Sequence, residues 1–128
     1  MVLIDTSVWI QLYRKKTVPI GERVWALVGE NEAAICGQVY TEFLSGFKKK
    51  DEFAFFEDKL SRFPWLETNQ KIFQTAAKIL VNHKGLGLGD AIIAATALVW
   101  NVPLLTLDKG FHNAQIDGRL INMHPADD

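Results

Sequence analysis

Residues 3–10 read LIDTSVWI, and the way this stretch divides decides the fold. Val2, Leu3 and Ile4 form a short apolar run of the kind that makes a buried strand, and Val8, Trp9 and Ile10 resume the apolar character. Between them stand Asp5, Thr6 and Ser7. Thr6 or Ser7 can cap exposed backbone N–H groups, so a helix is expected from there to about Tyr13. Asp5 is then left at the end of a buried strand, where an unpaired carboxylate is expensive. Something must compensate it.

Outward from this stretch, the same alternation repeats. Pro19 suits the start of a second helix, whose Val24, Leu27 and Val28 share a face until Gly29 and Asn31 end it. Ala33 to Cys36 reads as a second buried strand, and Val39 to Phe47 as a helix with Phe43, Leu44 and Phe47 at its apolar positions. Asp51 to Phe63 is expected as an amphipathic helix carrying Phe53, Phe56, Leu60 and Phe63 at helical spacing, stopped by Pro64. Asn69 to Lys84 is a further helix with Ile72, Phe73, Ala76, Ala77, Ile79 and Leu80 inward, and Gly89-Asp90 opens an almost wholly apolar one to Trp100. Pro103 to Leu107 is a third strand and Arg119 to Met123 a fourth. Short apolar strands alternating with helices predict a three-layer α/β/α fold around a mainly parallel sheet of four to five short strands. In such sheets ligands bind beyond the carboxyl ends of the strands, which is where Asp5 stands.

Composition bounds the function. With 128 residues, 48% hydrophobic and 23% charged, the chain is expected to fold as one globular domain. The longest apolar run, Ala91 to Trp100, is about half the ~20 residues of a membrane span, and no secretory leader pattern is read at the start. Cys36 is the only cysteine, which suits a reducing cytoplasm, so a soluble cytoplasmic domain without membrane contact is expected. The net charge of −1 does not mark a generic nucleic-acid binder. Setting four acids aside for a metal site leaves eleven of the 15 against 14 Lys and Arg, a remaining surface of about +3.

Four acids occupy comparable places. Asp108 follows LLTL as Asp5 follows VLI; Glu42 lies one turn into the helix after the second strand; Asp90 begins the apolar helix in GLGDAIIAATAL. Each alone has a plain structural reading, Asp90 as a helix cap and Asp108-Lys109-Gly110 as a turn. Together they converge on one crevice, where four carboxylates repel one another unless a cation neutralises them. An all-oxygen set without His or Cys suits Mg²⁺ or Mn²⁺ rather than zinc. Such a cation activates water and stabilises charge on a phosphate, so the expected chemistry is phosphodiester hydrolysis by a metal-activated water.

The segments LIDTSVWI, TEFLSG, DAIIAATAL and LLTLDKGF, in this order over nearly the whole chain, resemble the PIN-domain family and, within it, the VapC-type toxins of toxin–antitoxin pairs. The resemblance implies one PIN-like nuclease domain over residues 1–128, acting as a Mg²⁺- or Mn²⁺-dependent endoribonuclease. It places the metal-binding and catalytic acids on Asp5, Glu42, Asp90 and Asp108, and supporting hydroxyls on Thr6 and Thr106. An RNA substrate, a homodimer and a cognate antitoxin that inhibits with a C-terminal tail are implied as partners. Gly110 stands where the family frequently has a further acid. A PIN-like module that mainly grips a partner protein, with little catalysis, is the other reading of the same residues.

Two basic clusters, Arg14-Lys15-Lys16 and Lys48-Lys49-Lys50, end elements that lead away from the acids and are expected either to contact RNA phosphates or to be solvated faces. Trp25 and Trp100 are expected in the core, and the Phe53-Phe56-Leu60-Phe63 stripe either in the core or in a groove for a partner helix. Gly85 to Gly89 follows a helix rather than a strand and is no dinucleotide fingerprint, while His83, His112 and His124 lack zinc-site spacing. An aspartyl-phosphate phosphatase would want an acid where Ser7 stands, and no G-x-S-x-G turn supports a serine hydrolase.

Overall fold

The computed structural model describes residues 1–15, 19–111, 115–116, 119–120 and 123–125, the last three segments as backbone strands. The first strand, β1 (Val2–Ile4), is buried along its whole length. Leu3 and Ile4 point to opposite faces and neither has any exposed surface, so layers cover the sheet on both sides. Four strands make that sheet in the order β2-β1-β3-β6: β2 is Ala33–Ala34, β3 is Leu104–Thr106 and β6 is Met123–Pro125. Every neighbouring pair is parallel. Because β2 and β3 flank β1 on opposite sides, the chain reverses its direction of travel across the sheet at β1. A crevice opens there beyond the strand ends.

The layers are helical: α1 (Thr6–Arg14), α2 (Pro19–Gly29), α3 (Gly37–Leu44), α4 (Lys50–Ser61), α5 (Gln70–Asn82) and α6 (Leu88–Trp100). Sequence signals account for most of their ends. Asn69 caps α5, its side chain accepting from the Ile72 N–H at 3.0 Å. Asn31 and Asn101 take left-handed backbone (φ 58° and 55°) just after α2 and α6, a conformation asparagine tolerates better than most residues. In α6 the run Ala91, Ile93, Ala94, Ala95, Thr96 and Ala97 is buried, as its nearly continuous apolar sequence requires.

Several expectations need correction. The fourth strand was expected over Arg119–Met123, but Arg119–Leu120 (β5) pairs antiparallel with Gln115–Ile116 (β4), and the sheet strand begins only at Met123, opposite Leu104. A parallel partner for β3 requires the chain to return to the start of β3, and this small ribbon lies within that return; Ile121 and Asn122 lie outside the described residues. The second strand pairs with β1 only through Ala33 and Ala34, since Ile35 bridges to Trp65 instead. Helix α3 stops at Leu44, short of Phe47. Trp25 and Trp100 are not core residues but are 55% and 44% exposed, the Trp100 indole donating to the Glu67 carbonyl at 3.0 Å. Phe73 and Ala77 face outward, because α5 presents its Ile72, Ala76 and Ile79 stripe to the core, with Leu80 packed partly buried beside it. On α4 only Leu60 is buried; Phe55, Phe56 and Phe63 wall a groove of about 780 Å³ whose other side is Trp9, Leu12 and Trp25.

Candidate functional site

Helix α1 begins immediately after β1, so Asp5 occupies its N-cap position, yet the carboxylate makes no capping bond. It turns toward β3. Asp5, only 3% exposed, accepts at one oxygen from Thr106 Oγ1 at 2.7 Å and from Ser7 Oγ at 2.8 Å. The register explains the meeting: Ile4 lies opposite Leu105, and the Asp5 N–H donates to the Leu105 carbonyl at 2.9 Å. Thr106 and Ser7 also close the far side. The Asp108 N–H donates to Thr106 Oγ1 at 2.9 Å and the Leu107 N–H to Ser7 Oγ at 3.1 Å, which fixes the turn after β3 against the turn after β1. Burial pushes the Asp5 carboxyl above its usual range; the Thr106 and Ser7 hydrogen bonds and the Thr6 backbone oppose this, and the charge on Glu42 adds to it.

Glu42 lies on α3 and is held at both oxygens, by Thr6 Oγ1 at 2.6 Å and by Gln38 Nε2 at 2.8 Å. Gln38 is one helical turn before Glu42, so the two share a face. Gly89 meets the same carboxylate from α6. A Cβ there would overlap Glu42 Oε2 and crowd Gln38 Nε2, so any larger residue would push the ends of these two side chains from their observed places.

Asp90 is the third residue of α6; the cap position belongs to Gly87. The plain reading of Asp90 as a cap therefore fails. Partial burial is the chief cause that raises its pKa to about 6, followed by the negative charges of Asp108, Asp5 and Glu42 and a hydrogen bond with Asp108. Asp108 keeps a turn role as well, accepting from the Gly110 N–H at 2.8 Å. The ion pairs Met1–Glu32 and Arg62–Asp58 lie elsewhere, and no basic side chain among the described residues offsets the charge felt by Asp5 or Asp90.

The four expected acids thus face one crevice and act on one another through space. Among the described residues no three His, Cys, Asp or Glu side chains make a ready metal-binding group. The donor chemistry nevertheless fits a hard divalent cation: oxygen ligands only, uncompensated charge, and two carboxyls that hold their protons more tightly than usual.

Three contributors escape a reading of the sequence by itself. Ser7 reads as a cap but ties Asp5 to the turn after β3; its signal is a hydroxyl two residues past a strand-end acid. Gln38 is visible only as an amide four residues before an acid, and Gly89 only as a glycine directly before one. Of the basic clusters, Arg14 and Lys15 end α1, Lys48 and Lys49 form the turn into α4, and Lys50 starts α4; all five are exposed, and Lys16 lies outside the described residues.

Comparison with known proteins gives consistent relatives. Residues 2–116 match the PIN domain. A ribonuclease VapC from Rickettsia bellii is 34% identical over 117 residues, covering 83% of this chain and 84% of that one. Ribonuclease VapC32 of Mycobacterium tuberculosis is 32% identical over 111 residues, covering 85% and 86%. Among solved structures, a toxin–antitoxin complex from Klebsiella pneumoniae superposes with a TM-score of 0.73 at 28% identity, covering 92% of this chain and 94% of its counterpart.

Proposed function

Because this chain belongs to the PIN-domain family, we propose that it is a VapC-type endoribonuclease, the toxin of a toxin–antitoxin pair. The supporting observation is the crevice at the carboxyl ends of β1 and β3, where burial and the charges of Asp108, Asp5 and Glu42 raise the pKa of Asp90, and burial with the charge of Glu42 raises that of Asp5. Residues 1–128 act as one nuclease domain. Asp5, Asp90, Asp108 and Glu42 are the residues that would hold Mg²⁺ or Mn²⁺. When bound, the cation supplies a hydrolytic nucleophile near neutral pH and stabilises charge on the phosphate.

The chain's own groups set the stage for this. Thr106 and Ser7 lock Asp5 in one orientation and pin the Asp108 turn beside it. Thr6 and Gln38 place Glu42, and Gly89 leaves room for its carboxylate. Arg14, Lys15, Lys16, Lys48, Lys49 and Lys50 contact RNA phosphates and position the strand without reading its sequence. A cognate antitoxin is the protein partner, and the apolar groove between α4 and the α1–α2 pair supports it, since an amphipathic helix needs such a surface. The protein works in the cytoplasm, as a homodimer.

The test is incubation of the purified protein with total cellular RNA. Wild type is expected to cut RNA with Mg²⁺ or Mn²⁺ and not in EDTA. Asp90→Asn, a near-isosteric change, should stay folded and cut nothing. A wild-type protein that leaves RNA intact with either cation would overturn the assignment and leave a partner-gripping PIN module as the reading.

A further inference from the structure

Where α1 ends against the turn between α3 and α4, the surface opens into a second cleft, of about 300 Å³. Glu42 forms its wall toward the acid crevice, so the cleft adjoins the site described above. Arg14, Lys48 and Lys49 stand around it, drawn from both basic clusters, and Tyr13 and Phe47 give it an aromatic side. The opposing acids are already engaged. Tyr13 Oη donates to Glu52 at 2.7 Å, and Glu42 is held by Thr6 and Gln38.

Tyr13 combines exposure with rigidity. It is 43% exposed, yet its ring packs edge-on against Phe47 and Phe56 at centroid distances of 5.0 and 5.6 Å, and its hydroxyl is tied down. A ring already fixed offers a stacking surface at little further entropic cost. We propose that this cleft is a subsite for one unpaired nucleotide of the RNA substrate, next to the phosphodiester cut in the crevice. Its base stacks on Tyr13, and the flanking phosphates meet Arg14, Lys48 and Lys49. A cationic rim beside an aromatic surface is the combination that holds single-stranded nucleic acid. A base inside a duplex is stacked on its neighbours and cannot also lie on a side chain, so the subsite selects loops and unpaired ends. At the small end of the range for ligand pockets, the volume suits one nucleotide rather than several.

The inference rests on the ribonuclease reading, and its experiment separates the two. Binding is followed by fluorescence anisotropy in EDTA with a labelled single-stranded RNA spanning a cut mapped from wild-type products. A companion RNA lacks the base beside the cut. Tyr13→Ala should bind the intact RNA about tenfold more weakly than wild type does. It should match wild type on the RNA without that base. The triple variant Arg14→Gln, Lys48→Gln, Lys49→Gln should lower the slope of log affinity against log salt by about two, from three lost phosphate contacts. This variant removes no packing, so it decides the matter if Tyr13→Ala melts early. Unchanged binding and slope in the triple variant, with wild type still cutting RNA in Mg²⁺, would overturn the subsite and spare the ribonuclease. A triple variant that binds RNA normally but no longer holds a co-expressed antitoxin would give the cleft to the protein partner and overturn the proposal. Failure of wild type to cut any RNA would remove both readings.

Discussion

Asp90 carries opposed electrostatic effects, and their magnitudes decide how it affects stability. As the third residue of α6, its charge interacts favourably with the helix dipole, by roughly 0.3–1 kcal/mol. Burial and the charges of Asp108, Asp5 and Glu42 outweigh this and lift its pKa to about 6. The folded state therefore binds the Asp90 proton more tightly than the unfolded chain, where the value is ~3.9. That contribution to stability is fully present below ~3.9 and is lost as pH rises through about 6. At pH 7 without metal, ionised Asp90 costs on the order of 1–2 kcal/mol once its partial exposure is allowed for. Asp90→Asn should therefore unfold at a higher urea midpoint than wild type at pH 7, with the gain disappearing by pH 4. A lower midpoint at pH 7 would mean that the carboxylate stabilises the fold and that the crevice is not charge-strained at this residue. The energetic burden belongs to the position and is a common accompaniment of functional sites.

At the scale of elements, α6 shows where a helix rule yields to the site. Gly89 lies in its first turn, and alanine there would favour the helix by up to about 1 kcal/mol. The added Cβ, however, would collide with the Glu42 carboxylate. Gly89→Ala should thus leave urea stability within about 1 kcal/mol of wild type while cutting the rate of RNA cleavage about tenfold or more, the usual effect of disturbing a ligand's support. Full cleavage by a well-folded Gly89→Ala protein would show that Glu42 need not hold its observed place. Elements were legible in the sequence wherever period and punctuation agreed: β1, β3, the Asn69 cap and the apolar run of α6 all follow from local residues. The four acids were legible because each stands at or near an element end that the sheet order brings together. What local pattern could not give was pairing. The β4–β5 ribbon, which pairs Ile116 with Arg119, takes the residues expected to open the fourth strand, so the sheet strand starts only at Met123 opposite the distant Leu104, and Trp25, Trp100 and Phe73 are apolar yet exposed. The Gln38 amide joins the site through an i,i+4 hydrogen bond to Glu42 within α3, and Gly89 of α6 packs against the pair.

Over the whole molecule, the sheet has one purpose that its own stability does not explain. Parallel strands in the order β2-β1-β3-β6 place the ends of β1 and β3 side by side, and each end delivers a carboxylate. Two helices then add Glu42 and Asp90 above the same point, although burial and the charges of Asp108, Asp5 and Glu42 raise the cost of ionising Asp90. On the proposed metal-dependent reading a cation would offset that cost, and its binding would be coupled to the carboxyl protons it displaces. The central claim is therefore tested most directly by calorimetric titration of Mn²⁺ into the metal-free protein at pH 7, for wild type, Asp90→Asn and Asp108→Asn. The account predicts saturable binding by wild type, weakened at least about tenfold in each variant, and a wild-type affinity that falls as pH is lowered through about 6. Identical isotherms for the three folded proteins, or none at all, would contradict it.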